Sequence, residues 1–121
     1  MAKTVLVVDD SPSEMQFILK VLAGKGYRFF TATDGDQALR QASEHTPDVV
    51  VLDVVLPKQS GFQVCRQIKN SEPPVTTKVI LVSSKNQESD KFWGKKQGAD
   101  AYLTKPLNAA DLVAAVEDIF K

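Results

Sequence analysis

The chain has 121 residues, 43% of them apolar, and its fifteen Lys and Arg balance fifteen Asp and Glu. That length suits one domain, burying roughly two thirds of the surface its unfolded form exposes, and zero net charge argues against a mainly electrostatic nucleic-acid or membrane partner. Cys65 stands alone, so no internal disulfide forms. The apolar runs fall short of a membrane span, the N-terminus has no signal-peptide pattern, and the expectation is a cytoplasmic protein.

Thr4 to Val8 reads as a buried strand, because aliphatic, mostly β-branched runs suit strands covered on both faces. It ends on Asp9-Asp10. Ser11 then suits a helix N-cap, Pro12 the first helical position and Glu14 the far end of a capping box. Met15, Ile18, Leu19 and Leu22 recur at helical spacing, and Gly24 and Gly26 stop this first helix. Arg28 to Thr33 is a short second strand with no charge at its far end. Asp34-Gly35-Asp36-Gln37 opens a second helix, with Ala38, Leu39 and Ala42 inward, and Thr46-Pro47 breaks it. Asp48 to Pro57 holds the central strand, which ends on Asp53. Lys58 to Gly61 is a polar loop. Phe62, Cys65 and Ile68 mark a third helix, which Ser71-Glu72-Pro73-Pro74 ends. Lys78 to Val82 is the fourth strand, finishing on Ser83-Ser84-Lys85. Glu88 to Gln97 is a polar fourth helix containing Phe92 and Trp93, closed by Gly98. Asp100 to Thr104 is the fifth strand, followed by Lys105-Pro106. Asn108 caps a fifth helix with Leu112, Ala115, Val116 and Ile119 on its buried stripe.

Strand and helix thus alternate five times, which implies parallel βαβ units with right-handed crossovers and helices on both faces of a sheet. Five strands suit a flavodoxin-like, doubly wound α/β fold of order 2-1-3-4-5, whose ligands sit beyond the carboxyl ends of the strands. Those ends carry Asp9 and Asp10 on the first strand, Asp53 on the third, Ser83 on the fourth and Lys105 on the fifth. Three converging carboxylates repel one another unless a cation sits among them, and hard oxygen ligands with room for water suit Mg²⁺. A lysine and a hydroxyl suit the oxygens of a phosphoryl group. On this reading Asp53 is a nucleophile that forms an acyl phosphate. Asp10 and Asp53 hold Mg²⁺ and Asp9 assists through water. Lys105 and Ser83 meet phosphoryl oxygens. A haloacid-dehalogenase-type phosphatase would need its two aspartates spaced by one residue, and a cap; a flavin site would place its phosphate against Asp9-Asp10, which repel it.

The motifs Val7-Val8-Asp9-Asp10-Ser11, Asp53 to Pro57 with Gly61 downstream, Val82-Ser83-Ser84 and Tyr102-Leu103-Thr104-Lys105-Pro106 resemble the receiver domain of two-component response regulators. The resemblance covers essentially the whole chain. It implies a switch rather than an enzyme, acting only in phosphoryl transfer to itself and slow self-dephosphorylation. Asp53 is then the phosphoacceptor, and a sensor histidine kinase or phosphotransfer protein the donor. Mg²⁺ is bound by Asp10, Asp53 and the backbone carbonyl of Val55, with Asp9 acting through water. Ser83 is the switch hydroxyl, Tyr102 the switch aromatic and Lys105 the phosphoryl-binding lysine, with Ser84 and Pro106 in support and a cis Lys105-Pro106 peptide. Phosphorylation shifts the face made by the fourth helix, fifth strand and fifth helix and alters binding of a downstream protein, without direct nucleic-acid or membrane contact. The expectation is a single receiver domain over 1–121 with no output domain, similar to the stand-alone chemotaxis and twitching-motility regulators. A receiver-like scaffold that works without phosphorylation is the alternative. Leu56 stands where methionine is frequent, and Val55 and Lys85 where acyl-phosphate lifetime is tuned.

Adjacent helical residues point roughly 100° apart, so Phe92 and Trp93 cannot share one buried stripe. Phe92 is the expected core residue. Trp93 is expected toward the fifth strand, exposed as a partner anchor. Cys65 reads as a small core residue, His45 as a helix-end residue, and Lys95-Lys96 as a solvated face.

Overall fold

Aliphatic runs separated by capped helices set the architecture. Ser11, Asp34, Ser60 and Asn108 each accept a backbone N–H of the first helical turn, satisfying donors that a helix start leaves unpaired. A computed structural model describes residues 2–71, 75–85 and 87–121. Its elements run β1 (Thr4–Val8), α1 (Pro12–Leu22), β2 (Arg28–Ala32), α2 (Gly35–His45), β3 (Val49–Asp53), α3 (Gly61–Lys69), β4 (Lys78–Ser83), α4 (Glu88–Lys96), β5 (Ala101–Thr104) and α5 (Ala109–Ile119). Every pairing is parallel, in the order β2-β1-β3-β4-β5, which is the doubly wound sheet expected from the alternation. Past Ser71, the segment expected to end α3 lies outside the described residues. Among those described, no helix is long and apolar enough to cross a membrane.

Strand side chains alternate between two cores. Leu6, Val8, Val50, Leu52, Val79 and Leu81 face α2 and α3 residues, including Ala38, Ala42, Val64 and Cys65. Val5, Val7, Val49, Val51, Ile80 and Val82 face α1 and α5, through Ile18, Leu22, Leu112 and Val116. Because β1, β3 and β4 are covered on both faces, their carboxyl ends are rigid. Cys65 is fully buried, with its thiol 3.5 Å from the Gln97 carbonyl, and burial pushes its pKa up to about 11. His45 ends α2 and stacks on Phe30 at 3.8 Å between ring centroids.

Two local expectations change. Ser11 Oγ accepts the Glu14 N–H at 3.4 Å, but the reciprocal half of the capping box is missing because the Glu14 carboxylate is turned to Lys105. Phe92 is not a core residue: it is 62% exposed, and α4 buries Gly94 instead. A Cβ on Gly94 would lie 2.9 Å from Tyr102 Cδ2 and 3.2 Å from Leu81 Cδ1, so α4 approaches the sheet too closely for a side chain there. With Gly94 inward, Phe92 lies roughly 200° around the helix and faces solvent.

Candidate functional site

The charged groups of the site stand where strands stop. Asp9 follows β1, Asp53 ends β3, Ser83 ends β4 and Lys105 follows β5. Backbone bonds level these ends: Asp9 N–H donates to the Ala32 carbonyl at 3.1 Å, Val54 N–H to Val82 at 2.9 Å, and Lys105 N–H to Ser83 at 2.8 Å. Gly61 opens α3 directly against this edge, where a Cβ would lie 2.2 Å from the Asp53 carbonyl oxygen. The Lys105-Pro106 peptide is cis, as the resemblance implied. Asp9 and Asp53 are 1% and 4% exposed, whereas Asp10 is exposed.

Lys105 Nζ lies 3.2 Å from Asp53 Oδ2 and 3.8 Å from Asp9 Oδ2, and is hydrogen-bonded to the Glu14 carboxylate. Asp53 Oδ1 accepts the Val55 N–H at 3.2 Å, and Asp9 Oδ1 the Ser11 N–H at 2.9 Å. Burial pushes the Asp9 carboxyl up to about 7, with Glu14 and Asp53 adding to the effect. Burial also raises Asp53, against the pull of Lys105 and the Val55 amide. Pairing with Lys105 lowers Glu14. Burial draws the Lys105 ammonium downward, but Glu14, Asp53 and Asp9 together outweigh it and hold the group protonated. One cation thus faces more negative charge than it can neutralise.

That imbalance decides the fit of a metal ion. Asp9, Asp10 and Asp53 each offer a carboxylate oxygen, all within 4.8 Å of one another. The set is hard and anionic, and the exposed Asp10 leaves an open side for water, as Mg²⁺ requires. Burial makes Asp9 and Asp53 hold their protons too tightly, and the neighbouring carboxylates add to it; a cation among them offsets both. The donor set therefore fits a divalent cation.

Ser83 is fully buried, and its Oγ accepts the Lys85 N–H at 3.1 Å. Tyr102 lies half-buried against Gly94 and donates its hydroxyl proton to the Lys85 carbonyl at 2.8 Å. Lys85, two residues past the end of β4, is therefore tied both to the site serine and to the aromatic under α4. Ser84 is exposed between Ser83 and Lys85, and Val55 stands 59% exposed beyond Asp53. Trp93 is 52% exposed, but it lines a groove with Arg66, Lys69 and Asn70. It thus faces α3 rather than β5, because the inward position of Gly94 rotates it to that side. The residue that sequence reasoning missed is Glu14. Its position in a capping-box pattern accounted for it locally, and no local signal points across the chain to Lys105.

Fold and site together define a flavodoxin-like α/β domain with an acidic, cation-fitting pocket and one lysine at its topological switch point. The chain belongs to the response regulator receiver domain family, which it matches over residues 5–117. It is 39% identical to protein PilH of Pseudomonas aeruginosa, over 95% of each chain. It is 38% identical to the alkaline phosphatase synthesis transcriptional regulatory protein PhoP of Bacillus subtilis, spanning all of this chain and 50% of that one. The BeF3-activated DrrB receiver domain superposes with a TM-score of 0.88 at 35% identity, covering 99% of this chain and 98% of the other. Receiver domains are phosphorylation-dependent signalling switches rather than conventional enzymes. They bind Mg²⁺ at an acidic pocket and work with histidine kinases or phosphotransfer proteins.

Proposed function

We propose that Asp53 accepts a phosphoryl group from a sensor histidine kinase or phosphotransfer protein. The observation that carries this is the Asp53 carboxylate, 3.2 Å from the Lys105 ammonium at the rim of the acidic pocket. An Asp53 oxygen attacks phosphorus as the donor's phosphorus–nitrogen bond breaks, and the electron pair leaves with the donor imidazole. Asp10, Asp53 and the Val55 carbonyl would hold Mg²⁺, with Asp9 acting through water; when bound, the ion neutralises charge on the transferring group. Lys105 pairs with one phosphoryl oxygen and the Ser83 hydroxyl donates to another. Attack of water on phosphorus later releases inorganic phosphate and restores the carboxylate, so self-dephosphorylation resets the switch.

Output follows from the links around Ser83. If Ser83 moves toward the phosphoryl group, the Lys85 amide bonded to it moves too, and with it the carbonyl that holds Tyr102. Tyr102 packs under Gly94, so α4 and β5 shift, and α5 follows through its packing on β5. Trp93, exposed on the α3 side of α4, moves with that helix and is the proposed anchor for a downstream protein. The reading treats the chain as one receiver domain, supported by its match along nearly the whole of PilH. Intact mass after incubation with acetyl phosphate and Mg²⁺ tests it. One added phosphoryl group, absent without metal and absent in Asp53→Asn, is expected; uptake by Asp53→Asn would refute the assignment.

A further inference from the structure

Glu14 has no local need of a lysine. Its backbone N–H is bonded to Ser11, and its side chain is 40% exposed, so the carboxylate has water at hand. It nevertheless spans from α1 to Lys105, 91 residues away, and makes the closest of the three carboxylate contacts of that ammonium. The lysine side chain is 18% exposed. On the α1 side, Glu14 and Lys105 share an open groove with Phe17 and Leu107, so Glu14 can release the lysine without being stranded in an apolar interior.

A lysine ammonium has three protons to donate. A phosphoryl group on Asp53 presents new anionic oxygens to the same three. We propose that Glu14 is a positioning residue for Lys105. It holds the ammonium on the α1 side of the pocket before phosphorylation and competes with the phosphoryl group for it. The inference rests on Asp53 being the acceptor. Glu14 then sets a threshold: each transfer from a donor must draw the lysine away from a charge-assisted partner, and such bonds are about twice as strong as neutral ones. Glutamine at this position offers only a neutral oxygen and releases the lysine. Aspartate keeps the charge but is one methylene too short to hold the contact. The pair Glu14→Gln and Glu14→Asp therefore separates holding the lysine from simple repulsion through space.

Intact mass would be followed over time with acetyl phosphate and Mg²⁺ in the wild type, Glu14→Gln, Glu14→Asp, Lys105→Ala and Lys105→Ala/Glu14→Gln. In each transfer an Asp53 oxygen–phosphorus bond forms, the acetyl oxygen–phosphorus bond breaks, and acetate leaves. Glu14→Gln and Glu14→Asp are both expected to raise the initial rate about 3- to 5-fold, as loss of a partly exposed ion pair allows. In the Lys105→Ala background the Glu14→Gln effect should shrink to under about twofold, because no lysine is left to compete for. In metal-free protein, Lys105 ammonium protons should exchange with water faster in Glu14→Gln by NMR. Equal rates in the wild type and Glu14→Gln, unchanged ammonium exchange, or a full effect without Lys105 would each overturn the inference while leaving Asp53 as acceptor. A Glu14→Asp variant as slow as the wild type would also overturn it, leaving charge alone. Absence of uptake by the wild type would overturn the acceptor reading and this inference with it.

Discussion

Asp9→Asn should stabilise the metal-free protein, although it removes a hydrogen-bonded side chain from the site. Asp9 is 1% exposed, and burial raises its carboxyl from 3.8 to about 7. A folded-state pKa above the unfolded value means that the native protein binds the proton more tightly. The Asp9 contribution is therefore complete below pH 3.8 and is lost as pH rises through about 7. Above that, the difference between 3.8 and about 7, at about 1.4 kcal/mol per pH unit, sets a ceiling of ~4 kcal/mol on the cost of holding Asp9 ionised. Asparagine avoids the charge and can still accept the Ser11 N–H, but its amide protons face the Lys105 ammonium. The expected gain at about pH 8 is therefore ~1–3 kcal/mol, or roughly 3–5 °C in melting temperature per kcal/mol for a chain of this size. Urea unfolding in EDTA, at about pH 5 and about pH 8, measures it. The advantage should be less than half as large at pH 5, and Mg²⁺ should stabilise the wild type more than the variant. No stabilisation at pH 8, or equal stabilisation at both pH values, would refute the electrostatic account of the pocket.

Three further outcomes are expected. Gly61→Ala places a Cβ 2.2 Å from the Asp53 carbonyl oxygen; it should cost about 2–3 kcal/mol by urea unfolding and slow phosphoryl uptake, because the backbone carrying the proposed acceptor must move. Ser83→Ala should still take up phosphoryl but lose the accompanying change in fluorescence of Trp93, the single tryptophan of the chain, because the Lys85 amide is bonded to the Ser83 hydroxyl; a normal fluorescence change would remove the serine from the coupling. Trp93→Ala, at a half-exposed position, should change stability by less than about 0.5 kcal/mol and leave uptake alone; a loss above about 2 kcal/mol would make Trp93 a packing residue.

What was legible in the sequence was whatever a strand imposes on its neighbours. Val49 to Leu52 must be buried on both faces, so Asp53 at their end has to meet a partner at the edge. The same logic places Asp9 after Val8 and Lys105 after Thr104, and the alternation of elements supplies the sheet order. Less legible was whatever depends on the distance between layers. Phe92 outranks glycine on any apolar scale, yet α4 lies so close to Tyr102 that the inward position admits only Gly94. A glycine inside a helical pattern was the available sign of that close approach. Glu14 illustrates a second limit. Ser11 and Glu14 fit a capping box so well that the sequence offered no reason to look further, while the attraction of Lys105 arises only once α1 and β5 are folded onto the same sheet edge.

One particular carboxylate, Asp53, is proposed to carry the phosphoryl group. Borohydride reduction of the phosphorylated protein converts an acyl phosphate to a primary alcohol, so the acceptor aspartate becomes homoserine and can be located by peptide mass spectrometry. Homoserine is expected at position 53 alone, and none when Mg²⁺ is withheld. Homoserine at position 9 or 10, or phosphorylated protein in which no aspartate is reduced, would contradict it.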